Sequence, residues 1–352
     1  IHWKKAAKFG GHYQISNTQV GRQEQVYFKV REGEGNYRYD ESLDEYIPDP
    51  FGEYVLRLLP TDEFIPVVEL KGRVDFRFKP NKVLRTKNTS SIYKKILANI
   101  SSETFLRLEE KTQEPNVRDI YLLDFSKFQN SQTTLLGNMS LRQDLTLFEK
   151  RRDLSLRYRL LSSKSINNQF LDGEQKRRYI RHEWRLNLSP SRQWGGRFEF
   201  QRTIEDKTFS RETRPDRFVR GVRLVSEVSW RPQNRLELAL GSVYGFDADK
   251  AYEPQTEVQQ VTLKPRTTYS FRGRGRLRAE FEYTKVTAND ETRIIPYELA
   301  QGNRLGRSLR WNLTFDYRMS KNLNSSVSYQ GRDEPQREST IHVAKVEMRA
   351  YF

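Results

Sequence analysis

From Leu309 to Met319 the chain alternates without a break: Leu309, Trp311, Leu313, Phe315, Tyr317 and Met319 are apolar, while Arg310, Asn312, Thr314, Asp316 and Arg318 lie between them. A strand directs successive side chains to opposite faces, so this segment has one apolar and one polar face. The same period of two recurs in Leu277, Ala279, Phe281 and Tyr283 against Arg276, Arg278, Glu280 and Glu282, and in Leu236, Leu238, Leu240, Tyr244 and Phe246. It also marks Phe218–Trp230, Leu154–Leu160, Ile180–Leu188, Phe198–Phe200 and Val68–Phe78. Helical periodicity is confined to a short stretch near Ile92–Ile100. The chain is therefore all-β and antiparallel.

Two architectures present such faces. A soluble sandwich packs its apolar faces together and wets its charges. A membrane barrel does the reverse, turning apolar faces to lipid and polar faces inward. Strand length separates the two. Several segments hold the alternation for 9 to 13 residues, which suits a tilted bilayer strand of about 9–11 residues better than a sandwich strand of about 5–6. The connections point the same way, because short ones (149–152, 189–193, 231–234, 272–275, 320–322) take turns with long ones (164–177, 206–216, 247–256, 287–304, 331–338). An outer-membrane meander sorts its turns and loops in this manner. At the end of the chain, Val346, Met348, Ala350 and Phe352 alternate with Lys345, Glu347, Arg349 and Tyr351. This pattern resembles the terminal-strand assembly signal of bacterial outer-membrane barrels, which the barrel-assembly machinery reads.

Strands are expected near 22–31, 65–80, 102–112, 135–148, 153–163, 178–189, 194–205, 217–231, 235–246, 257–272, 275–287, 305–319, 323–331 and 339–352. That makes an outer-membrane β-barrel of about fourteen strands, within a range of about twelve to sixteen, since single-chain bacterial barrels favour even numbers. Residues 65–352 would form the barrel. Residues 1–64 would be a Gly/Tyr/acidic β segment serving as loop, plug or first strand. A periplasmic C-terminus would put the long loops outside the cell and segment 81–101 on the periplasmic side. Ile1 begins with no Met, basic n-region or apolar h-region, so an export signal is expected upstream.

The N-terminal part carries G-x-G-x-Y-x-Y-D at Gly33, Gly35, Tyr37, Tyr39 and Asp40, then an acidic run with Glu41, Asp44, Glu45 and Asp49. The third glycine of a dinucleotide loop is missing, as is EF-hand spacing. Turn glycines in an irregular β segment explain the stretch. The order G-E-G-N-Y (Gly33–Tyr37), G-E-Y-V-L-R-L-L-P-T-D-E-F-I-P (Gly52–Pro66) and F-K-P (Phe78–Pro80) resembles a module of large uncharacterised outer-membrane proteins of the Bacteroidota and Chlorobi lineages. There it sits near the C-terminus of a much longer chain. The resemblance spans Val26 to Pro80 and departs from those proteins in the short acidic stretch Asp40–Asp49. It implies that the barrel belongs to a larger envelope protein.

Composition narrows the function. Lys and Arg number 62 against 46 Asp and Glu, giving a net charge of +16, and cysteine is absent. No stretch approaches the roughly 20 apolar residues of a membrane helix, and thiol-ligated metals and disulfides are excluded. The polar faces mix signs, so Arg276, Arg278, Glu280, Glu282, Arg310, Asp316, Arg318, Lys345, Glu347 and Arg349 are expected to line the lumen as a cross-linked wall. Leu236, Leu238, Leu240, Leu277, Phe281, Leu309, Trp311, Leu313, Phe315 and Tyr317 are expected to face lipid, and Val346, Met348, Ala350 and Phe352 to carry the assembly signal. The net excess of base would favour anions in an open lumen. The four histidines, His2, His12, His182 and His342, form no triad or ligand spacing, so neither an enzyme nor a cofactor is expected. The predicted role is a pore or translocation conduit, with outer-membrane lipid, the assembly machinery and further envelope subunits as partners. The alternatives are a structural anchor for a larger assembly, or a soluble basic β protein that binds nucleic acid. The latter would need aromatics beside the arginines, and here they occupy opposite faces.

Overall fold

The computed structural model describes residues 2–3, 6–41, 44–80, 99–114, 128–149, 151, 153–170, 173–210, 215–251, 253–271, 273–290, 295–335 and 339–351, and the structural statements below concern these. The strands are β1 (His2–Trp3), β2 (Ala7–Lys29), β3 (Gly35–Asp40), β4 (Glu45–Gly52), β5 (Tyr54–Phe78), β6 (Ile100–Thr112), β7 (Thr134–Leu147), β8 (Leu154–Asn167) and β9 (Gln175–Leu188). They continue with β10 (Trp194–Phe209), β11 (Arg217–Gln233), β12 (Leu236–Asp249), β13 (Thr256–Phe271), β14 (Gly275–Ala288), β15 (Gly306–Arg318), β16 (Leu323–Asp333) and β17 (Ile341–Ala350).

All seventeen belong to one sheet, and fourteen of them have ten residues or more. In hydrogen-bond order β10 to β17 follow the chain, and so do β5 to β9. The fold is an antiparallel β-barrel of fourteen long strands. In hydrocarbon an open sheet edge would cost several kcal/mol for each unpaired backbone N–H or C=O group, which is why such sheets close. The short strands β3 and β4 form a hairpin inserted between β2 and β5.

The fourteen long strands coincide with those expected, but the first ones are longer. The segment expected at 22–31 is the end of β2, which starts at Ala7, and the one expected at 65–80 is the end of β5, which starts at Tyr54. The division at 64/65 thus falls inside a strand. Most of the helical stretch near Ile92–Ile100 lies outside the described residues, and Ile100 itself opens β6.

By internal contacts the residues group into two compact units, one of Ile1–Phe28, Val55–Trp184 and Gln201–Arg220, the other of Lys29–Tyr54, Arg185–Phe200 and Gly221–Phe352. In both, the distribution of burial inverts that of a soluble protein. In the second unit Leu224 is 51% exposed and Leu240 54%, whereas Glu199 on the opposite face is 8% exposed. In the first, Trp184 is exposed while its neighbour Glu183 is buried. Exposed apolar side chains in continuous rows would mark an aggregation hazard in water. In a membrane barrel rows of this kind form the band that meets lipid.

Two local features show how the residues shape the wall. Pro265 pairs with Leu240 on β12, but the β13–β14 register passes from Leu263↔Tyr283 to Arg266↔Glu280, because proline has no N–H to give the ladder. Gly331 stands opposite Trp311, and a Cβ there would sit 2.0 Å from the indole. The absent side chain is what lets the ring lie across the strand. Apolar packing of the ordinary kind is limited. In the first unit Leu70, Leu108 and Phe128 pack with Ile15, Val68 and Met139, and Val20, Val67 and Leu135 pack with Ile65.

Candidate functional site: the polar face of the wall

The register brings the sequence-selected residues into rows. On the polar face Arg276 stands opposite Asp316, Asp316 opposite Ser326, and Ser326 opposite Glu347. Glu282 is opposite Arg310, Arg278 opposite Thr314, Glu280 opposite Asn312, Arg318 opposite Asn324, Asn324 opposite Arg349, and Lys345 opposite Ser328. On the apolar face Leu277 meets Phe315, Phe281 meets Trp311, Leu309 meets Tyr283, and Leu313 lies between Ala279 and Tyr329. Tyr317 is opposite Ser325, which is opposite Met348; Val346 is opposite Val327 and Ala350 opposite Leu323. Leu236, Leu238 and Leu240 are opposite Tyr269, Thr267 and Pro265. Phe352 lies outside the described residues.

Mixed signs on the polar face resolve into cross-strand ion pairs. In the first unit Arg157 meets Glu183 at 3.1 Å, Arg159 meets Asp144 at 2.5 Å, and Arg177 meets Glu205 at 2.8 Å. In the second, Arg185 meets Glu199 at 2.6 Å, Lys264 meets Glu282 at 2.5 Å, and Arg266 reaches both Glu227 and Glu237 at 3.3 Å. These pairs brace neighbouring strands, while others lie along a single strand, as Arg278 with Glu280 and Glu347 with Lys345 and Arg349.

The long-loop end of the second unit carries a denser arrangement. The β3–β4 hairpin places Asp49 against Arg332 of β16, Oδ1 to Nη1 at 2.6 Å, with both side chains buried. Glu334, just past β16, pairs with the same guanidinium and lies 3.5 Å from Arg310. Arg38, on β3, is 3.9 Å from Asp49 and 3.7 Å from Asp40. Burial holds the Arg38 guanidinium below its usual pKa, against the pull of the neighbouring carboxylates. At the exposed tip the Tyr39 hydroxyl donates to Asp44 at 2.5 Å, which pushes the phenol up to about 12.

The connection between β14 and β15 joins this cluster. Its single 3-10 turn, Leu299–Gly302, buries Leu299 and Ala300 completely. The Ala300 N–H donates to Asp247 Oδ2 at 3.0 Å, and Arg223 reaches the same oxygen at 3.3 Å. Ala300 and Gln301 both have positive φ, 52° and 54°, a conformation that costs about 1–3 kcal/mol per non-glycine residue and persists only where surroundings impose it. Asn303 then accepts a hydrogen bond from Arg310 at 2.8 Å. Hairpin, loop and wall are thus tied through one chain of charges, from Asp49 through Arg332, Glu334 and Arg310 to Asn303.

Sequence reading selected Arg310 but not Asp49, Arg332, Glu334, Asp247, Arg223 or Arg38 as a group. The available signal was the G-x-G-x-Y-x-Y-D stretch with its acidic run, whose partners lie almost three hundred positions along the chain (Asp49 and Arg332 are 283 apart). His182, expected on the apolar face, is there with Tyr158 and Trp184, its Nδ1 2.8 Å from the Tyr158 hydroxyl. Among the described residues no group of three His, Asp or Glu could hold a metal ion.

No protein-family model and no curated protein matches the chain. Among solved structures it is similar to OmpT lacking loop L8, an outer membrane protein of Vibrio cholerae, at 9% identity and a TM-score of 0.39, covering 97% of this chain and 99% of that one. It is also similar to CdiB from Acinetobacter baumannii (8%, TM-score 0.42, 97% of this chain and 60% of that one). A third is a NanC porin (12%, TM-score 0.29, 60% and 94%).

Proposed function

We propose that this outer-membrane barrel is a pore or translocation conduit whose long-loop end is closed by its own β3–β4 hairpin and β14–β15 loop. The observation that carries the reading is the ion-paired cluster Asp49–Arg332–Glu334–Arg310. A barrel that only anchored something would need no buried network holding two connections against its polar wall. The long loops face the cell exterior, and the short turns and the C-terminus face the periplasm. Lipid covers the apolar rows, the last strand presents the signal read by the assembly machinery, and the resemblance over Val26–Pro80 makes the barrel part of a larger envelope protein.

Planar-bilayer recording tests this. The wild type should conduct weakly, and deletion of Pro296–Asn303 should raise the single-channel conductance severalfold. If neither protein conducts although both insert, the chain is an anchor.

A further inference from the structure

We infer that the short-turn end of the polar face in the second unit is a binding site for oligo-anions, extended solutes carrying several phosphate, sulfate or carboxylate groups. The inference deepens the conduit reading and rests on it for the identity of the cargo, although binding itself can be measured without conduction.

Almost every arginine named above on the polar face has an acid within ion-pair distance. Four at the turn end do not: Arg235, Arg274, Arg276 and Arg318 have no carboxylate within 4.0 Å among the described residues, and all four are exposed. Their placement follows from the register. The Ser270 N–H donates to the Arg235 carbonyl at 2.8 Å, Ser270 is opposite Arg276, and the Arg318 N–H donates to the Arg274 carbonyl at 2.6 Å. Arg235 and Arg276 therefore occupy one row two strands apart, about 10 Å at the usual strand spacing. Arg274 and Arg318 form the next row towards the turn.

Two cavities open on these rows, of about 590 Å³ and about 360 Å³, and both are lined by Ser270 and Arg276. Together they are lined by eight arginines against three acids, Glu237, Asp316 and Glu347. Guanidinium groups without counter-charge leave a local positive excess on a wall of otherwise mixed charge, which an anionic ligand neutralises. Guanidinium forks match oxyanions bidentately. A single small anion cannot span two rows and two strands, whereas a chain of charges can.

The test uses the full chain folded in detergent and inorganic tripolyphosphate as probe, followed by titration calorimetry. Saturable binding is expected, weakened about tenfold or more in R235Q/R276Q/R318Q, as loss of several charge-assisted contacts requires. R192Q, in the separate 189–193 turn, should leave it unchanged. No saturable binding by the wild type, or equal loss in R192Q, would overturn the site. Tripolyphosphate should also block bilayer current in the wild type and not in the triple variant. Binding without any current would remove the conduit and keep the site. Current with no binding would do the opposite.

Discussion

The two ends of the polar face in the second unit use the same residue types to opposite effect. At the long-loop end Arg332 has a side chain 5% exposed and sits between Asp49 and Glu334, which are 2% and 1% exposed. At the turn end Arg278 pairs with Glu280 at 2.9 Å, but the side chains are 49% and 32% exposed, and Arg274 and Arg276 beside it have no carboxylate within 4.0 Å among the described residues. Buried charges must be neutralised to the last group, because the low dielectric magnifies any imbalance. Exposed ones are screened and can be left in excess. One end therefore holds its charges buried and paired, and the other leaves a positive excess open to solvent.

Removing Arg332 should show the largest effect. Arg332→Ala leaves Asp49 and Glu334 buried without their shared cation, a loss of about 3–5 kcal/mol, read by urea unfolding of the protein in lipid vesicles. It should also raise conductance. A loss below about 1 kcal/mol would mean the loop end is no more tightly built than the turn end.

Next comes a test of which face is which. Leu313→Arg should cost about 2–4 kcal/mol if the site lies near the bilayer midplane, while Thr314→Arg, one residue on and across the sheet, should be tolerated. Equal folding yields for the pair would reverse the assignment.

Asp247→Ala removes the acceptor of the Ala300 N–H and should cost about 1.5–3 kcal/mol. Hydrogen exchange would locate the loss, with the Ala300 amide exchanging faster while amides within β15 stay protected. If the amide remains protected, packing of Leu299 rather than this bond holds the turn in place.

At the other extreme, Arg278→Ala should change stability by less than about 1 kcal/mol. A larger change in the same urea experiment would show that the turn end is braced after all and would weaken its contrast with the loop end.

How far these features could be foreseen differs by region. The rows around Leu313 and Phe315 were legible because a period of two depends only on neighbours in sequence, and the long strands then follow almost residue by residue. β2 and the start of β5 were underestimated. Their alternation is interrupted, as at Gly10–Gly11 and Pro60, and strand there is maintained by pairing with neighbours far along the chain. The closing cluster was not legible. Nothing adjacent to Asp49 indicates Arg332, and nothing in Leu299–Gly302 indicates that two consecutive non-glycine residues adopt positive φ.

By itself, then, the order of residues determined the all-β class, the two faces of each strand, the alternation of turns with loops and the number of long strands, since all of these arise from local side-chain geometry. Only the tertiary structure decided that the hairpin and the 3-10 turn fold against the wall, and which arginines find an acid. Those outcomes depend on distances between residues hundreds of positions apart, and charge pairing is a property of the assembled register, which no single strand carries.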